Sequence, residues 1–161
     1  MPDLRPLRDT DVADVLTLNE RNVSHLAPMD EARLHVLRET ADRFDVLDVE
    51  GAFAGFVVTF GPGAPYDSVN YRWFADRYRR FYYLDRIVLH DGFRRQRLGS
   101  FVYDEIETVA APYGVLALEV NVDPPNEPSL AFHAGRGFVE VGRQGEDGHV
   151  VAMLEKALTS A

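Results

Sequence analysis

The chain contains no cysteine among its 161 residues. A disulfide framework, a thiol nucleophile and a cysteine-ligated metal site are therefore excluded. It also has no apolar run of the roughly 18 residues that a membrane-spanning helix needs. The first residues, Met1-Pro2-Asp3-Leu4-Arg5, lack the features of a signal peptide. We therefore expect a cytoplasmic protein that has no membrane partner.

Positive charge is scarce overall but concentrated locally. There are 17 lysines and arginines against 26 aspartates and glutamates, giving a formal net charge of −9. Nonspecific nucleic-acid binding needs a basic surface, so nucleic acid is not an expected partner. Eight of the arginines lie between Arg72 and Arg97, where there are only three aspartates. Such a local positive field suits a small polyanion better than a long nucleic acid.

The length fits one domain spanning residues 1–161, with a sizeable core. Apolar periodicity and turn residues predict alternating helices and strands, without repeats or linkers. The predicted strands cover residues 4–7, 44–49, 52–60, 81–89, 115–120, 138–143 and 150–154. The first predicted helix begins at residue 12, and the others cover residues 29–40, 70–80, 98–111 and 129–135. Residues 121–128 are expected to form a rigid loop.

One stretch combines a strand, a tight loop and a helix. Ile87-Val88-Leu89 has the apolar character of a buried strand end, and His90-Asp91-Gly92 is typical of a turn. The loop Arg94-Arg95-Gln96-Arg97 then leads to a helix that begins at Leu98. Free backbone N–H groups and the positive end of the helix dipole meet there, which favours an anion such as a pyrophosphate. An arginine-rich surface turn before an ordinary helix is the alternative.

This loop resembles the acyl-coenzyme A binding loop of the GCN5-related N-acetyltransferases (GNAT). The family pattern, Arg/Gln-x-x-Gly-x-Gly/Ala, maps onto Arg94-Arg95-Gln96-Arg97-Leu98-Gly99. Arg97 stands where the family usually has its first glycine. That glycine would allow a positive φ, or a close approach of phosphate to the backbone. Alternatively, the Arg97 guanidinium adds a contact to phosphate.

A second segment resembles the other signature of the same family. It consists of Asn126 followed by Ser129-Leu130-Ala131-Phe132-His133-Ala134-Gly135-Arg136-Gly137-Phe138. The two signatures occur in the family's order and spacing, and the predicted element order matches along nearly the whole chain. The resemblance implies an α/β fold with a mixed, mostly antiparallel sheet flanked by helices. That sheet would be splayed between the strands ending at Leu89 and Val120.

The resemblance also implies an acetyl-CoA-dependent N-acetyltransferase that uses no metal. An amine of a small molecule or a peptide N-terminus would attack the thioester directly. The pyrophosphate would lie on the arginine-rich loop, the thioester carbonyl near the backbone of Val88 and Leu89, and the pantetheine arm near Asn126. The implied cofactor-binding residues are Ile87, Val88, Leu89, Arg94, Arg95, Gln96, Arg97, Leu98, Gly99, Ser100, Asn126, Ser129, Phe132 and His133.

Two residues are the implied catalytic groups. His133 takes the place of the tyrosine that protonates the leaving thiolate in many relatives, and histidine can donate a proton near neutral pH. Alternatively His133 only packs or hydrogen-bonds coenzyme A, and solvent reprotonates the thiolate. Glu119 resembles the base of the ribosomal-protein alanine acetyltransferases, which share a Leu-Glu-Val strand. Its alternative is a salt bridge to Arg86 or a loop arginine, and Asp85 is then the second candidate base.

Several points stay open at the level of sequence. A longer acyl donor, or a nonenzymatic acyl-CoA sensor, fits the same motifs. The motifs specify neither the acceptor nor the oligomeric state, and a homodimer is compatible with them. Aromatic residues crowd the segment from Tyr66 to Tyr83, and we expect some to be core and others to line the acceptor pocket. The scattered histidines are expected at the surface or in packing. They are His25, His35, His90 and His149.

Overall fold

A seven-stranded sheet forms the centre of the structure, a computed structural model that describes residues 1–93 and 97–159. The strands are β1 (Pro2–Pro6), β2 (Arg43–Val49), β3 (Ala52–Phe60), β4 (Tyr82–Leu89), β5 (Val115–Asp123), β6 (Val139–Glu146) and β7 (His149–Ala157). The helices are α1 (Val12–Arg21), α2 (Glu31–Thr40), α3 (Val69–Arg77), α4 (Leu98–Ala110) and α5 (Glu127–Gly135). The strand order in the sheet is β1-β2-β3-β4-β5-β7-β6.

The sheet is mixed and mostly antiparallel, which confirms the expected fold class. Only β4 and β5 run parallel, and they pair at just two positions, Tyr82 with Leu116 and Tyr83 with Ala117. Every other neighbouring pair of strands is antiparallel. Beyond Tyr83 the two parallel strands separate. The sheet is therefore splayed between β4 and β5, as the resemblance implied.

Helices cover both faces of this sheet, and each face has its own apolar core. The first core joins α1, α2 and α3 to one face, and its members include Leu18, Leu34, Phe56, Phe74 and Tyr83. The second joins α4 and α5 to the other face, and its members include Val57, Leu84, Val102, Ile106, Leu118 and, at its border, Phe132. No helix in the described parts of the chain is long and apolar enough to cross a membrane.

The element bounds differ most from prediction around residues 121–128, where the expected rigid loop was wrong. Strand β5 continues to Asp123, because its pairing with β7 continues past a bulge to Val150. Helix α5 begins at Glu127, because the side chain of Asn126 accepts a hydrogen bond from the Ser129 N–H and caps the helix. Strand β3 has the predicted bounds, since its apolar pattern and flanking glycines define both ends.

Candidate functional site

A cleft of about 660 Å³ opens where β4 and β5 separate. Its walls come from the middle of both strands, from the loop of residues 23–28 and from the start of α5. Successive side chains of a strand point to opposite faces of the sheet. Glu119 therefore projects toward the face that carries α1 to α3, and its neighbours Leu118 and Val120 toward the face that carries α4 and α5. The cleft is thus lined from both faces.

One wall of the cleft offers unpaired backbone. The His90 N–H donates to the Ala54 carbonyl of β3 at 2.8 Å. Backbone groups of an antiparallel strand alternate in direction, so those of Leu89 and Ile87 are directed toward β5. Among the described residues, β5 does not pair with β4 there. This edge can therefore hydrogen-bond an extended ligand that carries amide groups.

Glu119 lies half-buried on β5 at the cleft wall. Its Oε2 accepts a hydrogen bond of 2.6 Å from the Tyr83 hydroxyl. Burial, and then the negative charge of Asp85, raises the pKa of Glu119 to about 8. The ion pair to Arg86 that the sequence left as an alternative is not formed, because Arg86 pairs with Asp85 instead.

Asp85 supplies a second carboxylate from the opposite wall. Arg86 pairs with Val58 and Leu84 with Thr59, so Asp85 is the extra residue of a β-bulge. Its side chain is 8% exposed, and its Oδ2 lies 3.3 Å from the Arg86 Nε. Among the described residues, neither of these two atoms has a hydrogen-bond partner. Burial raises the pKa of the Asp85 carboxyl.

Arg86 also fixes the loop of residues 23–28 that borders the cleft. Its Nη1 donates to the Asn19 Oδ1 at 2.9 Å and to the Ala27 carbonyl at 2.7 Å. The Asn19 amide donates to the same carbonyl at 3.2 Å. A buried arginine with several acceptors of this kind holds its partners rigidly. No pattern in the sequence predicts this role of Arg86.

The aromatic segment lies mainly in the core. Of its aromatic side chains, Tyr66 lines the cleft, where it stacks on Phe60 at 4.0 Å between ring centroids. The Arg33 guanidinium lies 5.6 Å from the Tyr66 ring and forms two hydrogen bonds with Asp67. Two of the histidines expected at the surface or in packing also line the cleft; they are His25 and His149.

Several of the expected cofactor-binding residues come together beside the cleft. A Cβ placed on Gly99 would lie 3.8 Å from the Phe132 ring and 3.9 Å from the Leu89 Cδ1. The start of α4, the end of β4 and α5 therefore meet at one point. Others line the cleft itself, namely Ile87, Asn126, Ser129 and His133. The side chains of Val88 and Leu98 are buried in the two cores. These two residues could therefore contact a ligand only through their backbone atoms.

The start of α4 has a glycine-like backbone at Arg97. This residue precedes the helix with φ 56° and ψ 26°, which is the left-handed region, and its side chain makes no cap hydrogen bond. Glycine adopts that region without steric cost. The backbone thus follows the family pattern where the side chain departs from it. Ser100 is exposed on the first helical turn, whereas Arg94, Arg95 and Gln96 lie outside the described residues.

His133 is buried at 5% exposure, and both of its ring nitrogens have partners. Its Nδ1 lies 2.7 Å from the Ser129 carbonyl oxygen, and its Nε2 lies 2.6 Å from the Tyr103 hydroxyl. A carbonyl can only accept, so Nδ1 carries the proton and Nε2 accepts from Tyr103. Burial lowers the pKa of His133, which favours the neutral imidazole. In this arrangement the ring offers no free N–H to a ligand.

Tyr103 is another residue of the site that sequence reasoning missed. It lies on α4, where the surrounding periodic residues Leu98, Val102 and Ile106 are apolar and buried. The only available signal was a phenol among apolar residues, because a buried tyrosine hydroxyl usually has a partner. The described residues contain no group of three or more histidine, aspartate or glutamate side chains that could hold a metal ion.

The family model for acetyltransferases of the GNAT family matches residues 11–138. No curated protein matches the sequence. Among solved structures, Ard1 from Thermoplasma volcanium superposes with a TM-score of 0.77 at 18% identity, covering 99% of both chains. The ribosomal-protein-alanine N-acetyltransferase from Brucella melitensis has a TM-score of 0.70 at 20% identity, over 97% of this chain and 99% of the other. NAA60 from Arabidopsis thaliana, in complex with a bisubstrate analogue, has a TM-score of 0.75 at 12% identity over 100% of both. These likenesses concern the fold.

Proposed function

The chain belongs to the GNAT acetyltransferase family, and we propose that it is an acetyl-CoA-dependent N-acetyltransferase. Its acceptor is a primary amine of a small molecule or of a peptide N-terminus. The observation that carries this proposal is the position of Glu119. This carboxylate lines the cleft opposite the unpaired edge of β4, and its pKa lies near 8. A base with a pKa near the working pH is suited to taking a proton from an amine.

The donor binds along the split between β4 and β5. Its pyrophosphate lies at the start of α4, on the backbone N–H groups of Leu98, Gly99 and Ser100 and on the side chains of the loop residues Arg94, Arg95, Gln96 and Arg97. The pantetheine amides hydrogen-bond the unpaired backbone of Ile87 and Leu89. Asn126, Ser129 and Phe132 form the facing wall. The meeting of Leu89, Gly99 and Phe132 supports this path.

The acceptor enters from the face that carries α1 to α3. The wall there contains Tyr66, the loop of residues 23–28 and the two carboxylates. The amine enters as an ammonium ion, whose charge is complementary to Asp85 and Glu119. Glu119 takes the proton, directly or through water, because its pKa lies near 8 and its Oε2 is bonded by the neutral Tyr83 hydroxyl. Asp85 is the alternative base.

The neutral amine then attacks the thioester carbonyl. A C–N bond forms, the C–S bond breaks, and its electron pair leaves on the sulfur of coenzyme A, while the nitrogen releases its surplus proton to water. The developing thiolate needs a hydrogen-bond donor or a proton. We assign this support to the part of the site around His133, the position expected to supply the acid.

The test is thiol release from acetyl-CoA in the presence of a panel of alkylamines, amino acids and peptides. Glu119→Gln is the matched variant, since it keeps the shape of the side chain and removes the base. We expect its kcat to fall about 10²–10⁴-fold, the usual contribution of a general base. Calorimetric titration should show coenzyme A binding to both proteins with similar affinity.

Other outcomes would favour other functions. Binding of acetyl-CoA without turnover on any amine would favour the acyl-CoA sensor. Turnover only with longer acyl donors would show that the transferred group is larger than acetyl. The panel therefore includes propionyl-CoA and butyryl-CoA. The absence of any binding at millimolar coenzyme A would contradict the proposed function.

A further inference from the structure

The Tyr103 hydroxyl stands at the end of a hydrogen-bonded chain that leads into the cleft. The Ser129 carbonyl accepts from the His133 Nδ1 at 2.7 Å, and the His133 Nε2 accepts from the Tyr103 hydroxyl at 2.6 Å. All three residues line the cleft. The ring faces inward from α4 and the imidazole from α5. Two separate helices therefore place one phenol at this point of the wall.

The surroundings of Tyr103 hold its ring in one place. It makes edge contacts with Phe132, His133 and Phe138 at centroid distances of 5.0, 5.2 and 6.2 Å. The Arg136 guanidinium lies 5.5 Å from the Tyr103 ring. Phenylalanine would fill the same space, so packing gives no reason for the hydroxyl. If these two side chains served only to fill space, burying their polar groups would cost free energy that apolar side chains of similar size would not cost.

We propose that Tyr103 donates the hydrogen bond that stabilises the leaving coenzyme A thiolate, and that His133 acts as a positioning residue for its hydroxyl. This inference rests on the proposed acetyltransferase function. In the free protein the phenol donates to the neutral imidazole. A thiolate is a charged and therefore stronger acceptor than a neutral ring nitrogen. The phenol O–H accordingly turns from His133 to sulfur as charge develops there.

The step balances without transfer of the tyrosine proton. The amine nitrogen forms its bond to the acetyl carbon, and the C–S pair goes to sulfur. The ammonium ion loses two protons in all: Glu119 takes the first before the attack, and water takes the second from the nitrogen of the new amide. The thiolate leaves as an anion that is hydrogen-bonded by Tyr103 and takes a proton from solvent after release. Burial raises the pKa of Tyr103, so its hydroxyl remains a donor throughout. The charged groups facing it are Arg136 and Glu107, which bind each other.

The first test measures the thiol of coenzyme A bound to the full-length protein, through the ultraviolet absorbance of its thiolate as pH is varied. Loss of one hydrogen bond to a charged group should raise the pKa of the bound thiol by on the order of 1–2 pH units in Tyr103→Phe. Tyr113→Phe is the matched control. Its ring stacks on Tyr82 away from the cleft, so the pKa of the thiol should equal that of wild type.

The second test is a rescue that a merely structural role would not give. Tyr103→Phe should lower kcat about 10–100-fold and leave the KM for acetyl-CoA within about twofold. In that variant the hydroxyl is gone and the space beyond the His133 ring is free. A tyrosine at position 133 is longer than histidine and can place its own hydroxyl there. We therefore expect Tyr103→Phe/His133→Tyr to recover at least tenfold in kcat over Tyr103→Phe, by about the strength of the lost hydrogen bond.

The outcomes separate this inference from the function on which it rests. Bound coenzyme A whose thiol has the same pKa in Tyr103→Phe as in wild type would overturn the role of Tyr103 and leave the acetyltransferase proposal standing. A Tyr103→Phe variant with wild-type kcat would do the same. A protein that binds no coenzyme A would overturn both. If Tyr103→Phe loses its fold, the double variant decides: folded and inactive contradicts the proposal, folded and active supports it.

Discussion

The Tyr83 hydroxyl donates a hydrogen bond of 2.6 Å to the carboxylate of Glu119 across the line where β4 and β5 separate. This contact lowers the pKa of Glu119, while burial and the charge of Asp85 raise it, and the balance lies at about 8. Without the phenol, the carboxylate would be harder to ionise. Tyr83 therefore tunes the group that we propose as the base.

Removing that phenol should shift the pH dependence of the reaction. Tyr83→Phe withdraws a donor to the charged form of Glu119, so the pKa of Glu119 should rise, by on the order of 1 pH unit. The inflection in kcat should then move to higher pH by the same amount. Tyr82→Phe is the control, because its hydroxyl bonds Thr59 and Asp42 instead. It should cost stability and leave the inflection in place, and a shift of equal size there would contradict the specific role of Tyr83.

Glu119 should also make folding stability depend on pH. The pKa of its carboxyl is about 8 in the folded chain, against an ordinary value of 4.5 for a glutamate exposed to water. Between these values the unfolded chain has released a proton that the folded chain keeps, so raising the pH destabilises the fold. In Glu119→Gln this dependence is absent. The stability of the variant relative to wild type should therefore increase by about 1 kcal/mol per pH unit between pH 5 and pH 8.

Urea denaturation of both proteins at several pH values measures this difference. A constant difference in the free energy of unfolding across the range would show that the pKa of Glu119 is the same in the folded and unfolded chains. That result would remove the support for Glu119 as a base that titrates near neutral pH.

Substitution of Arg97 by glycine should stabilise the folded protein. It adopts φ 56°, which costs an L-residue about 1–2 kcal/mol. Arg97→Gly should therefore be more stable than Arg97→Ala, by about 1 kcal/mol. The paired control is Arg72 in the interior of α3, where glycine should be less stable than alanine by about 1 kcal/mol. Thermal unfolding of the four variants measures whether the stability difference between glycine and alanine has opposite signs at positions 97 and 72.

The same two variants at position 97 test the guanidinium. Both remove it, so both should weaken coenzyme A binding by about 1–3 kcal/mol if it contacts phosphate. Tighter binding by Arg97→Gly than by wild type, measured by calorimetric titration, would reject that contact. The residue would then be a tolerated replacement for the glycine of the family pattern.

Gly55 should be intolerant of a side chain because β3 and β4 approach closely there. A Cβ on Gly55 would lie 2.3 Å from the Val88 carbonyl oxygen. Gly55→Ala should therefore destabilise the protein by about 1–3 kcal/mol and weaken coenzyme A binding, since it displaces the β4 edge. Gly61→Ala, with no atom within 4 Å of the added Cβ, should leave the binding unchanged. Equal effects of the two variants would contradict the argument.

Local patterns were enough to predict most elements of the fold. The bounds of β3 follow from an apolar run with a turn on either side, and α4 follows from apolar spacing that begins at Leu98. The end of β5 and the start of α5 could not be predicted from local patterns. The end of β5 depends on pairing with β7, and the start of α5 depends on a cap by Asn126. Both are contacts that single-sequence periodicity does not contain.

The candidate site divides in the same way. Glu119 and His133 could be selected as single residues, because a glutamate in an apolar strand and a histidine in a family position both stand out. Their partners could not be selected. Tyr83 is 36 residues from Glu119 and Tyr103 is 30 residues from His133. Only the folded arrangement of the strands and helices brings these side chains together and assigns a tautomer to the imidazole.

The most direct test of Glu119 as the base is the pH dependence of kcat for thiol release from acetyl-CoA, measured with a saturating primary amine. The kcat reports ionisations in the complex of enzyme and substrates. Wild-type kcat should rise with pH, have an inflection near pH 8 and be level above it. Glu119→Gln should be about 10²–10⁴-fold slower and show no such inflection. A Glu119→Gln variant that keeps the wild-type rate and the wild-type inflection would contradict the role of Glu119 as the base.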